Sequence, residues 1–320
     1  MSDICFIVAS QNQHWVLDRI AKEIGSRMEG VVEYCYDLKN IPESKSYFVT
    51  HYSLLPRVFL KVNPIKTKVF CFFTHESVPV SSMVEHLNSC VAVICESPKE
   101  QKYLEFYGVK AEIIHVVVEC ANSDMFKPHS RTGSGSILLS GACYARKSPE
   151  MVLSIMKALQ ERKFILIGKD WKYEFPGNVT YYDRIDYEKY PEIYKQCDVF
   201  LSCSTLEGGG PGGLIEAMHS NLIPVVSDTG NAREYIVDNY NGLIFPIDEP
   251  TEVICDLINK AYTMRPEESI PFNDVWQTVR HFNWDSYALN MKEIITDDYS
   301  KTISQGTYVG DEIDGDITCE

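Results

Sequence analysis

Asp198-Val199-Phe200-Leu201-Ser202-Cys203-Ser204-Thr205-Leu206-Glu207-Gly208-Gly209-Gly210-Pro211-Gly212-Gly213-Leu214-Ile215-Glu216-Ala217-Met218 is the stretch on which the fold of this chain turns. The run from Asp198 to Leu201 reads as a buried strand, and Leu214 to His219 as a helix. Five glycines therefore fill a strand-to-helix turn, with a carboxylate on each side. Glycine lets a backbone approach a ligand with no Cβ in the way. The helix start that follows offers unpaired N–H groups and a positive dipole end, which suit a phosphate. Carboxylates are poor partners for phosphate but good acceptors for sugar hydroxyls. A phosphate cradle between two sugar-binding carboxylates points to a nucleotide sugar.

Working outward, apolar runs alternate with helical patterns along the whole chain. Strands are expected at Ile4–Ala9, Val31–Tyr36, Tyr47–Thr50, Val69–Thr74, Val91–Cys95 and Ile113–Val118. His14–Met28 has helical spacing, and Ser97-Pro98 reads as a helix start with Ser97 as N-cap. The stretch 128–136 has the Gly, Ser and Pro content of a linker. A second series follows, with strands at Ile137–Ser140, Phe164–Gly168, Val179–Tyr182, Val199–Cys203, Ile223–Ser227 and Leu243–Phe245. Helices are expected at Pro149–Gln160, Tyr187–Gln196, 214–219, Ala232–Val237, 251–264 and 284–295.

This alternation predicts an α/β protein with two parallel sheets, each covered by helices. The expected organisation is a first domain at 1–127, the linker at 128–136, a second domain at 137–280, a closing helix at 281–296 and an acidic, disordered tail at 297–320. Two such halves put a cleft between them, with the carboxyl ends of the strands facing it. The glycine-rich turn lies at such an end, and so do His51 and His75.

Composition narrows the function classes. The chain has 320 residues, a formal charge of −15 and 45% apolar content, which fits a soluble two-domain protein and excludes a general nucleic-acid binder. The charge is uneven: residues 1–127 carry 13 basic and 15 acidic side chains, whereas 297–320 carry 1 and 7. The 11 cysteines show no C-x-x-C pair and no zinc spacing. They read as reduced core thiols of a cytoplasmic protein. In that setting the glycosylation match Asn178-Val179-Thr180 is coincidence. No apolar stretch reaches the roughly 20 residues of a membrane span, and Ile4 to Ala9 is a first strand rather than a signal peptide.

With these segments assembled, the chain resembles a GT-B fold glycosyltransferase, most similar to family 4 of the retaining, nucleotide-sugar-dependent enzymes. The resemblance rests on 198–218, on Pro224-Val225-Val226-Ser227-Asp228-Thr229-Gly230, on Glu234-Tyr235-Ile236-Val237 and on Asn241-Gly242-Leu243-Ile244-Phe245-Pro246. Weaker matches lie at Ile114–Val118, Asp124–Pro128 and Phe282-Asn283-Trp284. The resemblance implies two Rossmann-like domains facing a cleft. Carried over by position, Glu216 would hold the ribose hydroxyls of the donor, and Glu207 would contact the transferred sugar. The turn Gly208, Gly209, Gly210, Gly212, Gly213 and Leu214 would meet the diphosphate and sugar. Lys147 would bind the diphosphate with Arg146 beside it, and His75 would sit near the transferred sugar.

The reaction so implied moves a hexose, with retention, from a nucleotide diphosphate sugar to a hydroxyl of a glycan, a lipid-linked or a small-molecule acceptor. Neither a cofactor nor a metal is expected, since Lys and Arg take the place of the cation. Three features depart from the family pattern. Eight residues separate Glu207 from Glu216 where seven are usual; Gly141 is followed by Ala142 rather than arginine; and Ser10-Gln11-Asn12-Gln13-His14 replaces a glycine-rich loop. Two other readings stay open: another GT-B enzyme, such as an epimerase or a phosphorylase, and a non-catalytic nucleotide-sugar binder or partner subunit, which the replaced loop and the altered glutamate spacing keep alive.

Each of these residues also has a plainer reading. Glu216 could be a first-turn residue stabilised by the helix dipole, Arg146 and Lys147 surface charges, and His75 a structural histidine. Arg57, Lys61, Lys66 and Lys68, interleaved with Val58, Phe59, Leu60 and Val62, read as an ordinary helix face or as a peripheral contact with an anionic membrane. Asp314-Gly315-Asp316 mimics a metal-binding D-x-D but has no strand before it, and reads as a solvated acidic run.

Overall fold

A computed structural model describes residues 1–10, 13, 16–207, 209–210, 213–264 and 275–296. The acidic tail, the D-x-D look-alike, Gly208 and Gly212 lie outside the described residues.

The first half runs β1 (Ile4–Ile7), α1 (Val16–Gly25), β2 (Val32–Cys35), β3 (Ser46–Val49), α2 (Leu55–Phe59), β4 (Lys68–Phe73), α3 (Val84–Leu87), β5 (Ala92–Cys95), α4 (Pro98–Phe106) and β6 (Ile114–Val116). The second begins with β7 (Ser136–Ser140), α5 (Pro149–Ala158), β8 (Phe164–Ile167), β9 (Val179–Tyr182), α6 (Tyr190–Tyr194), β10 (Cys197–Ser202) and α7 (Leu214–His219). It continues with β11 (Ile223–Ser227), α8 (Ala232–Tyr235), β12 (Leu243–Phe245), α9 (Thr251–Thr263), α10 (Val275–Val279) and α11 (Trp284–Thr296).

Each half holds one six-stranded sheet, ordered β2-β1-β3-β4-β5-β6 and β12-β11-β10-β7-β8-β9. Every pairing is parallel. The strand order reverses between β1 and β3 in the first sheet and between β7 and β10 in the second. At such a switch point the loops leave in opposite directions and open a crevice at the carboxyl ends of the strands.

Alternation along the strands divides the first core. Cys5, Ile7, Val49, Cys71, Phe73 and Val93 face one layer. Ile4, Phe6, Phe48, Phe70, Phe72 and Ile94 face the other, where α1 covers them. Both sets are apolar, which is the signature of a parallel sheet buried on both faces. The second half packs around Ile137, Leu138, Phe164, Leu166, Val199, Phe200 and Val225.

The chain's last described helix returns to the first half. Trp284, Tyr287, Met291 and Ile295 of α11 join the core that α1 covers. Arg27 also pairs with Asp285 at 2.8 Å and Lys292 with Glu29 at 3.0 Å. The two halves are therefore stapled by a helix as well as joined by a linker.

Local chemistry explains where elements start and stop. Ser97 caps α4, its Oγ accepting from the Glu100 N–H at 3.2 Å, with Pro98 at the first helical position. The single helix expected at Tyr187–Gln196 is a 3-10 turn, Tyr187–Lys189, followed by α6 with a proline near its start. The helix face expected for the basic cluster is also corrected. The helix ends at Phe59, and Asn63 turns the chain by accepting from the Ile65 N–H at 2.9 Å, so only Arg57 of that cluster is helical. Leu60 and Ile65 of the following loop stand 81% and 92% exposed.

Asn178 spends its Nδ2 on the carbonyls of Met156, Leu159 and Arg162, all at 3.0–3.1 Å. These carbonyls lie in the last turn of α5 and the turn that follows it, so the amide of the glycosylation match is structurally engaged. All ten described cysteines are free thiols, nine of them buried.

Candidate active site at the interdomain cleft

The glycine-rich turn leaves β10 beside β7, at the switch point of the second sheet. Facing it is the turn Ala145–Lys147, between β7 and α5. A backbone bond from the Thr205 N–H to the Arg146 carbonyl, 2.7 Å, holds the two turns together. That contact brings Glu207 between two cations. Its Oε2 accepts from Arg146 and its Oε1 from Lys147. The Glu207 and Lys147 side chains are only 8% and 12% exposed, so the pair is shielded and its attraction is stronger than at the surface. The guanidinium of Arg146 also lies over the Tyr144 ring, 5.3 Å from its centroid.

Gly213 sets the start of α7. Its φ of +89° suits glycine, and a Cβ there would lie 2.9 Å from Tyr194 Oη and 3.0 Å from Ser140 Cβ. Leu214 is fully buried behind it. One turn on, Glu216 is already engaged. Its Oε1 accepts from the Tyr187 hydroxyl, and its Oε2 accepts from the Tyr194 hydroxyl at 3.2 Å. Arg19, reaching over from α1 of the other half, stacks on the Tyr187 ring at 4.3 Å. Burial raises the pKa of Glu216, while Arg19 and the two tyrosine hydroxyls pull it back.

His75 follows β4 and lines cavities on both sides of Glu207. Its Nδ1 lies 3.1 Å from Thr74 Oγ1. Burial, and then the charge of Arg146, hold its pKa below the ordinary value, with Glu207 acting the other way. His51, after β3, sits with its ring 6.3 Å from that of His75, and burial pushes its pKa down to about 4. Both imidazoles are thus held toward the neutral form.

The structure gathers Glu207, Arg146, Lys147, Gly209, Gly210 and His75 around one cleft. Glu216 and Gly213 lie behind the turn, closer to Tyr194. Four participants were missed in the sequence: Arg19, Tyr187, Glu96 and Glu119. Glu96 directly follows β5, and Glu119 comes shortly after β6. The rule that singled out His51 and His75, position just past a strand, would have found both carboxylates. Arg19 and Tyr187 carry no such signal, because their contact exists only once the halves meet.

Residues 122–270 match the model of the family described as glycosyl transferases group 1. Over that stretch the chain is similar to the group 1 glycosyl transferases, and its two halves have a GT-B fold. That match covers nearly all of the second half, including both turns of the site. The chain is 24% identical over 168 residues to an uncharacterized glycosyltransferase of Methanocaldococcus jannaschii. That match takes in 48% of this chain and 43% of the relative, so it spans less than half the length of that curated protein.

Among solved structures, the fold is similar to that of the Anabaena protein HepE, solved with UDP and glucose. The TM-score is 0.74, the identity 13%, and the match covers 92% of this chain and 99% of that one. It is likewise similar to a sucrose-phosphate synthase from Thermosynechococcus elongatus, with a TM-score of 0.70, 15% identity, and 91% and 97% of the two chains covered. The two halves together therefore have the GT-B fold.

Proposed function

We propose that this protein is a retaining glycosyltransferase that moves a hexose from a nucleotide diphosphate sugar to a hydroxyl of a glycan, lipid-linked or small-molecule acceptor. The observation that carries the reading is the Arg146–Glu207–Lys147 cluster at the switch point of the second sheet, with His75 across the cleft. That HepE is solved with UDP and glucose supports the same donor class.

In this reading Lys147 and Arg146 turn from Glu207 toward the donor diphosphate. They stabilise the negative charge that grows there as the bond from the anomeric carbon to the phosphate oxygen breaks. Glu207, so released, accepts from hydroxyls of the transferred sugar, and Glu216 accepts from the ribose in place of Tyr187. The acceptor oxygen bonds to the anomeric carbon from the face the diphosphate leaves, and its proton passes to a donor phosphate oxygen. The products are the glycoside and the nucleoside diphosphate. Two cationic side chains in the place of a divalent ion make the reaction metal-independent.

The free buried thiols support a cytoplasmic setting. A peripheral membrane contact, the finer part of this proposal, would be made by Leu60 and Ile65 with Lys61 and Lys66. Their loop leads into the amino end of β4, opposite the cleft. Flotation with anionic vesicles, lost in Leu60→Asp/Ile65→Asp, tests that contact.

The central test is thermal stabilisation by a panel of nucleoside diphosphates and their sugars, with and without EDTA. A ligand at a hundredfold its Kd adds about 2.7 kcal/mol to the folded state. A shift with one base, unchanged by EDTA and lost in Glu216→Gln, is the expected result. A full shift in Glu216→Gln would remove the ribose role of that residue, and no shift with any donor would remove the transferase reading.

A further inference from the structure

The cavity of about 420 Å³ between the halves is walled chiefly by residues that follow the strands of the first sheet, His51, His75, Glu96 and Glu119 among them. Glu207, Gly209 and Gly210 close it from the other half. The two carboxylates lie side by side against Gly209. A Cβ on that residue would fall 2.6 Å from Glu96 Oε2 and 3.1 Å from Glu119 Oε2. The absence of a side chain there makes room for both.

Glu96 is 6% exposed, and among the described residues no hydrogen bond reaches its carboxylate. Glu119 accepts from the Gly210 N–H and feels the charge of Arg19. A third acceptor comes independently from the second half. Asn231, 1% exposed, donates its Nδ2 to Tyr235 Oη at 3.0 Å. Its Oδ1 points at Gly210 in the cavity wall, 2.8 Å from where a Cβ would sit, and has no partner.

What is unmet on the Glu96 side of this turn is acceptor, while on the Glu119 side the Nε of Arg19 is a donor without a partner. Of the nearby cations, Arg146 and Lys147 are engaged with Glu207, and Arg19 stacks over Tyr187 with its charge also felt at Glu119, so Glu96 is the carboxyl with no cation beside it. Burial holds both carboxyls above the usual range. Glu119 and Glu100 add to this at Glu96, and Glu216 adds to it at Glu119. The two histidines are held toward neutrality.

Burial favours the neutral form of both carboxyls, and a ligand that brings positive charge and several N–H groups shifts them back to the ionised form and pairs with them, which a phosphate or carboxylate cannot do. A hydroxyl brings one donor and no charge. A divalent cation asks for a larger set of oxygens, and among the described residues no group of three His, Cys, Asp or Glu side chains is placed to hold one. A primary ammonium, with three N–H groups, meets the demand.

We propose that Glu96 and Glu119 form an acceptor-side subsite for a protonated amine, so that the acceptor is an amino-bearing polyol such as an amino sugar or aminocyclitol. This rests on the transferase reading, because the cavity is the acceptor side only if the donor lies on the second half.

The test uses the full chain saturated with whichever nucleoside diphosphate stabilises it, and D-glucosamine, D-glucose and N-acetyl-D-glucosamine as probes in calorimetric titration. Glucosamine should bind at least about tenfold more tightly than the other two at pH 7. Glu96→Gln and Glu119→Gln should each erase that preference, and Glu96→Gln should leave nucleotide affinity within about twofold. Melting curves identify a variant that fails to fold, and the other then decides. Equal binding of the three probes, no binding, or a preference untouched by both variants overturns the proposal. So does stabilisation by Mg²⁺ alone that Glu96→Gln removes, which would make the pair a metal site. Failure of the transferase reading looks different: no nucleotide would bind, whatever the probes do.

Discussion

Glu100→Gln should stabilise the protein at pH 8 and leave it almost unchanged at pH 4. Glu100 lies on α4, 7% exposed. Its Oε2 accepts from the Glu96 N–H at 2.9 Å, and its Oε1 has no partner. Burial pushes its pKa from 4.5 up to about 8, against the two backbone bonds that pull it down. A carboxyl whose folded-state pKa lies above its unfolded value keeps its proton longer in the folded chain. From pH 4.5 to about 8 the unfolded chain releases that proton and the folded chain does not, so stability falls through this window. At 1.36 kcal/mol per pKa unit, the rise from 4.5 to about 8 makes the full loss ~5 kcal/mol. Glutamine has the shape of the protonated acid, keeps an acceptor for the Glu96 N–H and does not titrate. Urea unfolding of wild type and variant at the two pH values measures the difference. A gain at pH 8 of about 2–4 kcal/mol, shrinking toward zero at pH 4, fits this account. An equal change at both pH values, or a loss at pH 8, refutes it.

Other predictions address the cleft and its frame. Lys147→Ala removes a charge-assisted bond worth about 1.5–3 kcal/mol, so affinity for a nucleoside diphosphate should fall about 10- to 100-fold while that for the monophosphate holds. Equal losses for both would place Lys147 away from the second phosphate. Gly213→Ala forces a side chain into a φ of +89° and against Tyr194 and Ser140. It should cost about 2–4 kcal/mol by denaturant melting, and a loss under about 1 kcal/mol would show that the turn relaxes freely. Asn178→Ala takes a donor from three carbonyls at and after the end of α5, of which Leu159 keeps the Arg162 N–H at 3.1 Å. It should cost about 1–3 kcal/mol, and a neutral result would mean that water replaces the amide.

Much of this molecule was legible in one dimension. The runs around Phe6, Phe48, Phe72, Ile94, Leu138 and Phe200 are apolar on both faces, and burial of a parallel sheet demands such runs. Together with the helical spacing between them and a Gly-rich strand-to-helix turn, they determine two doubly wound halves and a cleft. Glu207 was nameable because it sits beside a turn whose composition announces it, and Lys147 and Arg146 were nameable through the resemblance to the family pattern before the helix at Pro149. Positions within a few residues of a strand end are set by local geometry, so sequence spacing carries the information.

Only the tertiary structure decided the rest. Glu216 is held by Tyr187 and Tyr194, from residues well upstream, with Arg19 of the other half stacked on Tyr187. The carboxylates of Glu96 and Glu119 meet across Gly209, more than eighty residues away in the chain. The α11 helix, expected as a closing helix that follows the second domain, packs into the first half. Contacts of this kind depend on how two separately patterned surfaces dock. A single sequence records that each surface exists but not the distance at which its charges will face one another. Electrostatic coupling depends on that distance and on the exclusion of water, so the protonation and pairing within the cleft belong to the folded molecule alone.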